Sequence, residues 1–230
     1  MTDTQIIELF GQVPHFADEK IIGLDHAKLA KLQQFKTGHY EAYEASVNPL
    51  EAIGTIHPDY IGLSWREFLS KGKRMPHNLQ RFRENPQYYT DVISRLPSIH
   101  YLKTDGMLYV TEDGNHRTCI GKFFGYNRQN PYLHGVHLIE EEYDHSFRTK
   151  IEGLKAQMPP GYSISVQRHL VKREDGAGWY KDFFALVMQV EDQKGQIVFS
   201  AKNGELERMG IVELSKIVNQ KKKKWFSFSR

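Results

Sequence analysis

The run DGNHR, Asp113 to Arg117, places an acid, a glycine, an amide, an imidazole and a guanidinium in consecutive positions. Together these groups can hold an anion. Arg117 offers a planar fork that matches two phosphate oxygens. His116 can donate to a phosphate, or add charge when protonated. Asn115 can cap a helix or bridge to a ligand. Asp113 can position Mg²⁺ or a water between phosphate and protein. Glu112 adjoins it, but neighbours in a strand point to opposite faces, so one carboxylate faces the site and Asp113 is assigned to it. The plain alternative is a DG turn followed by an ordinary capped helix.

The flanking sequence decides how these groups are presented. MLYVTED reads as a strand leading into the run, and TCIGKFFG as a helix leaving it, stopped by Gly125 at a C′ position. A glycine turn between a strand end and a helix start leaves first-turn amides pointing outward. That end carries a partial positive charge, which suits phosphate. Gly114, Asn115, His116, Arg117 and Thr118 form the expected binding set. Asp113, His116 and Arg117 are the groups expected to act on a bound phosphate.

Around this unit, IHYLKT and MLYVTED alternate and are joined by Asp105-Gly106, which predicts a hairpin with a type I′ turn. Upstream, IGTIHPDYIGLSW is a strand candidate broken by Pro58, and a basic helical stretch follows. PQYYTDVISRL reads as a helix started by Pro86, and YLHGVHLIE as a last strand. Residues 1–50 read as a mostly helical arm, with Asp25 as an N-cap, apolar residues from Ala27 to Phe35 at helical spacing, and Gly38 as a stop. After the linker-like QMPPG, three runs between residues 162 and 202 read as antiparallel strands. A final amphipathic helix carries Leu206, Met209, Val212 and Ile217 on one side. The expected class is α/β (α+β), divided as 1–50 arm, 51–144 core, 160–220 antiparallel strands plus helix, and 221–230 tail.

Composition narrows the function classes. At 40% hydrophobic and 26% charged residues, the 230-residue chain has globular character rather than that of a disordered one. A net charge of +3 is too mild for sequence-independent DNA binding by the whole surface. The charge is uneven, however. KGKRMPHNLQRFR (71–83) and KKKKWFSFSR (221–230) contain no acid, which suits phosphate-bearing partners. Lys73, Arg74, Arg81 and Arg83 in the first stretch, and Arg66 upstream of it, are candidate contacts to nucleotide or nucleic-acid phosphates. The tail mixes lysines with Trp225, Phe226 and Phe228, a combination that fits single strands or an anionic surface. One cysteine, Cys119, permits no intrachain disulfide and fits a reducing compartment. The start lacks a signal-peptide pattern and no run is long enough to span a bilayer, so a cytoplasmic protein is expected. His116 with Cys119, and His134 with His137 on opposite strand faces, do not make up a zinc ligand set.

YVTEDGNHRTCIGKFFG, preceded by a hairpin and a helix, resembles the ParB/sulfiredoxin superfamily, in which a strand enters a short glycine motif. ParB-like nuclease domains show that motif as D-G-x-H-R, matched here by Asp113, Gly114, Asn115, His116 and Arg117. The resemblance covers residues 53 to 142. It implies a nucleoside triphosphate, ATP or CTP with Mg²⁺, held by motif residues and helix-start amides, and NTPase or DNase activity at that phosphate. Two departures matter. Sulfiredoxins carry their reactive cysteine immediately before His-Arg, where this chain has Asn115, so sulfinic acid reduction is not expected. Partition ParB proteins continue into a helix-turn-helix domain, whereas this chain continues into strands. What remains is similar to stand-alone ParB-like proteins of plasmids and mobile elements, including the fertility-inhibition group typified by Osa. That likeness implies DNA or a conjugation-machinery protein as partner. The competing expectation is a non-catalytic ParB-fold module that binds a partner protein.

Overall fold

The computed structural model describes residues 1–92, 99–158, 160–206 and 216. The helices are α1 (Asp3–Phe10), α2 (His26–Leu32), α3 (Trp65–Lys71), α4 (Met75–Glu84), α5 (Asn115–Gly125), α6 (His145–Ala156) and α7 (Asn203–Leu206). The strands are β1 (Ile22–Gly23), β2 (Lys36–Val47), β3 (Ala52–Thr55), β4 (His100–Thr104), β5 (Met107–Val110), β6 (Leu133–Tyr143), β7 (Ser163–Gly176), β8 (Trp179–Glu191) and β9 (Ile197–Lys202). This is the expected mixture of helices and mixed sheet. The chain forms two compact units that interleave in sequence. One takes Met1–His26, Tyr40–Glu141 and Asp175–Tyr180; the other takes Ala27–His39, Glu142–Glu174 and the chain from Lys181 onward.

The first unit holds the DGNHR run. Its strands β1, β3 and β5 pair in parallel, β5 pairs antiparallel with β4, and β4 runs parallel to β6. The β4–β5 hairpin turns on Asp105 (φ 51°) and Gly106 (φ 72°), the two positive angles that a type I′ turn requires. Helix α5 is the crossover between β5 and β6. It buries Cys119, Ile120 and Phe123 against a core that includes Phe10, Phe16, Trp65 and Phe82. Helix α3 begins with a capping box, Ser64 reciprocated by Glu67.

Several sequence expectations are corrected. Residues 36–47 form a strand rather than the end of a helical arm. The EAYEAS segment has helix-forming alanine and glutamate, but Tyr40, Tyr43 and Val47 suit a strand, and β2 lies beside β6. Pro86 starts only a 3-10 turn, Pro86–Tyr89, and the rest of that expected helix, residues 93–98, lies outside the described residues. Gly125 is the last helical residue, and the C-cap that follows, Tyr126, is right-handed (φ −58°), so no left-handed C′ glycine closes α5. Gly135, at φ 64°, interrupts the alternation of β6. Leu133 and Val136 consequently both enter the core, and His134 and His137 share the other side rather than facing opposite ways.

In the second unit β8 pairs antiparallel with β9, and β7 lies beside β8. Helix α6 fills the stretch between the expected core and the expected strands, ending just before QMPPG. Asp144 caps it by accepting from the Phe147 amide at 2.8 Å, and Phe147, Ile151 and Leu154 are buried with Leu186, Met188 and Val190. Leu206 is buried as the amphipathic pattern implies. Met209, Val212, Ile217 and the tail 221–230 lie outside the described residues.

Candidate functional site

The turn between β5 and α5 is tied to the start of β4. Thr111 donates to the His100 carbonyl at 2.9 Å, and the His100 amide donates to the Asp113 carbonyl at 3.1 Å. Gly114 then turns the chain at φ 107°. A Cβ there would lie 2.3 Å from Ile99 Cγ2, so only glycine meets both the angle and the space. Its carbonyl accepts the first helical bond, from Thr118 at 2.7 Å. Gly114 is thus the N-cap and Asn115 the first helical residue, which corrects the expectation that the Asn115 side chain caps the helix. The first-turn amides of α5 emerge beside the side chains of the run, at the positive end of an 11-residue helix.

The structure brings Asp113 and Arg117 together. Asp113 Oδ1 accepts from the Gly114 amide at 2.6 Å, and Oδ2 accepts from Arg117 Nη2 at 3.0 Å. Arg117 Nη1 donates to the Tyr88 hydroxyl at 3.2 Å. The guanidinium side chain is 14% exposed and the carboxylate 48%. A carboxylate of the chain itself therefore bridges a helix-start amide and a guanidinium, the pair of donors expected for a phosphate. Both Asp113 oxygens thus accept from a guanidinium or a backbone amide of the chain itself. Among the described residues no group of three or more His, Cys, Asp or Glu side chains is placed to hold a metal.

His116 turns inward. Its ring packs 5.1 Å from Phe68 and 5.5 Å from Tyr60, and Nε2 accepts the Arg74 amide at 3.4 Å. Burial pushes its pKa down, and the nearby Arg74 and His57 push in the same direction. The neutral ring supplies shape and one N–H, not the charge considered from the sequence. Thr118 is fully buried, with its hydroxyl 2.7 Å from Tyr101 Oη, so its side chain belongs to the core and not to the binding set. Asn115 is buried to 8% exposure at the base of the turn. Cys119 is buried, donates to the Trp65 carbonyl at 3.6 Å, and has its thiol pushed far up by burial, so it is inert.

The basic candidates separate. Arg66 is held by Asp18 in a bidentate pair, Nε–Oδ1 2.8 Å and Nη2–Oδ2 2.9 Å, and also by Asp3. It braces α3 against the N-terminal segment and does not face the turn. Lys73, Arg74, Arg81 and Arg83 are exposed. Arg74 starts α4 beside His116, and Arg81, seven residues on, falls on the same flank. Arg83 lines an open groove with Met1, Gln5, Glu8, Pro76 and Leu79. Arg74 thus remains beside the turn, Arg81 lies two helical turns further along α4, and Arg83 faces the groove. Sequence reasoning missed Tyr88 and Tyr60, which wall the turn on either side. Their aromatic character was visible, but their placement depends on how α3, α4 and the Pro86 turn pack.

No protein-family model, curated protein or solved structure matches this chain.

Proposed function

We propose that the chain binds the phosphate groups of a nucleotide or of a nucleic-acid end at the start of α5, as its resemblance to the ParB/sulfiredoxin superfamily implies. One observation carries the reading. The Asp113 carboxylate rests between the Gly114 amide and the Arg117 guanidinium, 2.6 Å and 3.0 Å away, and so occupies the place of a phosphate oxygen. An incoming phosphate displaces this internal anion and gains Arg117, the first-turn amides and Arg74. Mg²⁺, where present, arrives on the triphosphate rather than on a carboxylate of the protein.

Binding is favoured over hydrolysis. His116 is packed against Phe68 and Tyr60, and Asp113 is paired with Arg117, so neither is set to activate a water for NTPase or DNase chemistry. A cytoplasmic protein that senses ATP or CTP and acts on plasmid or conjugative DNA, or on a conjugation-machinery protein, is the biological form of this reading. A second reading, the non-catalytic interaction module, is favoured by the neutralisation of Arg117 and Arg66 by carboxylates of the same chain.

Thermal melts with ATP, CTP and GTP, with and without Mg²⁺, separate the two. A nucleotide at one hundred times its Kd adds about 2.7 kcal/mol, which is a rise of roughly 5 °C or more for a chain of this size. Arg117→Ala and Arg74→Ala should remove the rise. Unchanged melting with every nucleotide would favour the interaction module.

A further inference from the structure

One face of the first unit's sheet carries a chain of titratable groups that the phosphate reading does not use. Tyr180 Oη donates to Glu41 Oε2 at 2.5 Å, and Glu41 Oε1 lies 2.9 Å from His137 Nε2. His137 Nδ1 lies 3.1 Å from His100 Nδ1. The Tyr43 ring stacks flat on His137, at 5.0 Å and 4°. Glu112 Oε2 lies 3.6 Å from His100 Nδ1. The His100 backbone is tied to the turn before α5, but its side chain is on the opposite face of the sheet. Tyr101, the next residue of β4, is buried and reaches Thr118 of α5, so His100 projects from the other face.

Glu41 sets the direction of the proton chain. Burial opposes ionisation of Glu41, but hydrogen bonds from Tyr180, His137 and Tyr43 outweigh it and hold the carboxyl down to about 2. An ionised carboxylate only accepts, so His137 Nε2 carries a hydrogen. With that hydrogen on Nε2, a singly protonated His137 offers its Nδ1 as the acceptor for an Nδ1 hydrogen of His100, 3.1 Å away. The exposed Glu112 carboxylate lies on the same Nδ1 side of His100. His100 Nε2 is left as a lone pair on a side chain 27% exposed, with no hydrogen-bond partner among the described residues.

We propose that His100 is a general base, with His137 and Glu41 as the residues that orient it. A water, hydroxyl or protonated amine gives its proton to His100 Nε2 and keeps the electron pair. The resulting imidazolium is stabilised through its Nδ1 hydrogen by His137 and Glu112, and through His137 by Glu41. The carboxylates of Glu41 and Glu112 select neutral or cationic donors and repel phosphates, so this chemistry is separate from the α5 site.

Nitrogen NMR of the histidine side chains, together with the rate at which diethyl pyrocarbonate modifies each histidine, tests this on the whole chain. Wild-type His100 should be the Nδ1–H tautomer and His137 the Nε2–H tautomer. His100 should react several-fold faster than exposed His77. In Glu41→Gln, Tyr180 holds the amide oxygen, the amide NH₂ faces His137, and both tautomers reverse. His100 Nε2 then carries the hydrogen and its rate drops to that of His77 or below. A wild-type His100 in the Nε2–H form overturns the proposal, as does a His100 rate unchanged by Glu41→Gln. The wild-type spectrum decides the matter even if the variant folds poorly.

Discussion

Gly114→Ala is expected to cost about 3–4 kcal/mol of stability, the sum of left-handed strain and overpacking in a closed site. The φ of 107° disfavours any side chain, and the added Cβ would lie 2.3 Å from Ile99 Cγ2 and 3.2 Å from the Ile99 Cα. Ile99 is buried at 1% exposure and has little room to give. Gly106 is the internal control, since its φ is 72° but nothing lies within 4 Å of its Cβ position. Gly106→Ala should cost only the conformational part, about 1 kcal/mol. Urea unfolding of the two variants measures both values. Equal losses would mean that the backbone angle, and not the Ile99 contact, dictates glycine at position 114.

Lys122→Ala is expected to be equally damaging, about 3–5 kcal/mol, because it opens a cavity and orphans two carbonyls. Lys122 is buried in α5, donates to the Leu50 and Ala52 carbonyls at 2.9 and 2.7 Å, and lies over the Phe16 and Trp65 rings. Burial pulls its pKa down to about 8 from 10.5. The sign follows from linkage. Between those values the unfolded chain holds the proton that the folded chain has lost, so folding becomes more favourable as pH rises. The neutral amine still has two N–H donors for its two carbonyls. The stability gap between wild type and Lys122→Met should therefore widen from pH 7 to pH 10, by about 2–3 kcal/mol. Denaturant titrations of both proteins at the two pH values measure it, and a constant gap would contradict a depressed lysine.

Local chemistry was legible in the sequence, and distant pairing was not. Asp105-Gly106 announced its hairpin because a type I′ turn is specified by the two residues in it. The strand, glycine and helix order around Gly114 was legible for the same reason. The Asp113–Arg117 pair was present in the spacing, since residues four apart meet on a helix, yet each residue had been assigned to a ligand rather than to the other. β2 was misread because its glutamate and alanine content suits a helix until neighbouring strands bury Ala42 and Val47. The slip of alternation in β6 rests on one residue, Gly135, whose positive φ does not show in the pattern. Glu41 and His137 are 96 positions apart, so their contact depended wholly on sheet order.

The internal anion makes a prediction of opposite signs at two neighbouring side chains. Titration calorimetry with pyrophosphate and with ATP, on wild type, Asp113→Asn and Arg117→Ala, gives the most direct test of the phosphate site. Asp113→Asn removes the competing charge while keeping an acceptor for the Gly114 amide, and should tighten binding roughly tenfold, about 1.4 kcal/mol. Arg117→Ala should abolish binding in the same range. Tightening in the first variant with loss in the second is the result predicted by a phosphate at the start of α5. Equal affinity in all three proteins, or weaker binding in Asp113→Asn, would contradict it.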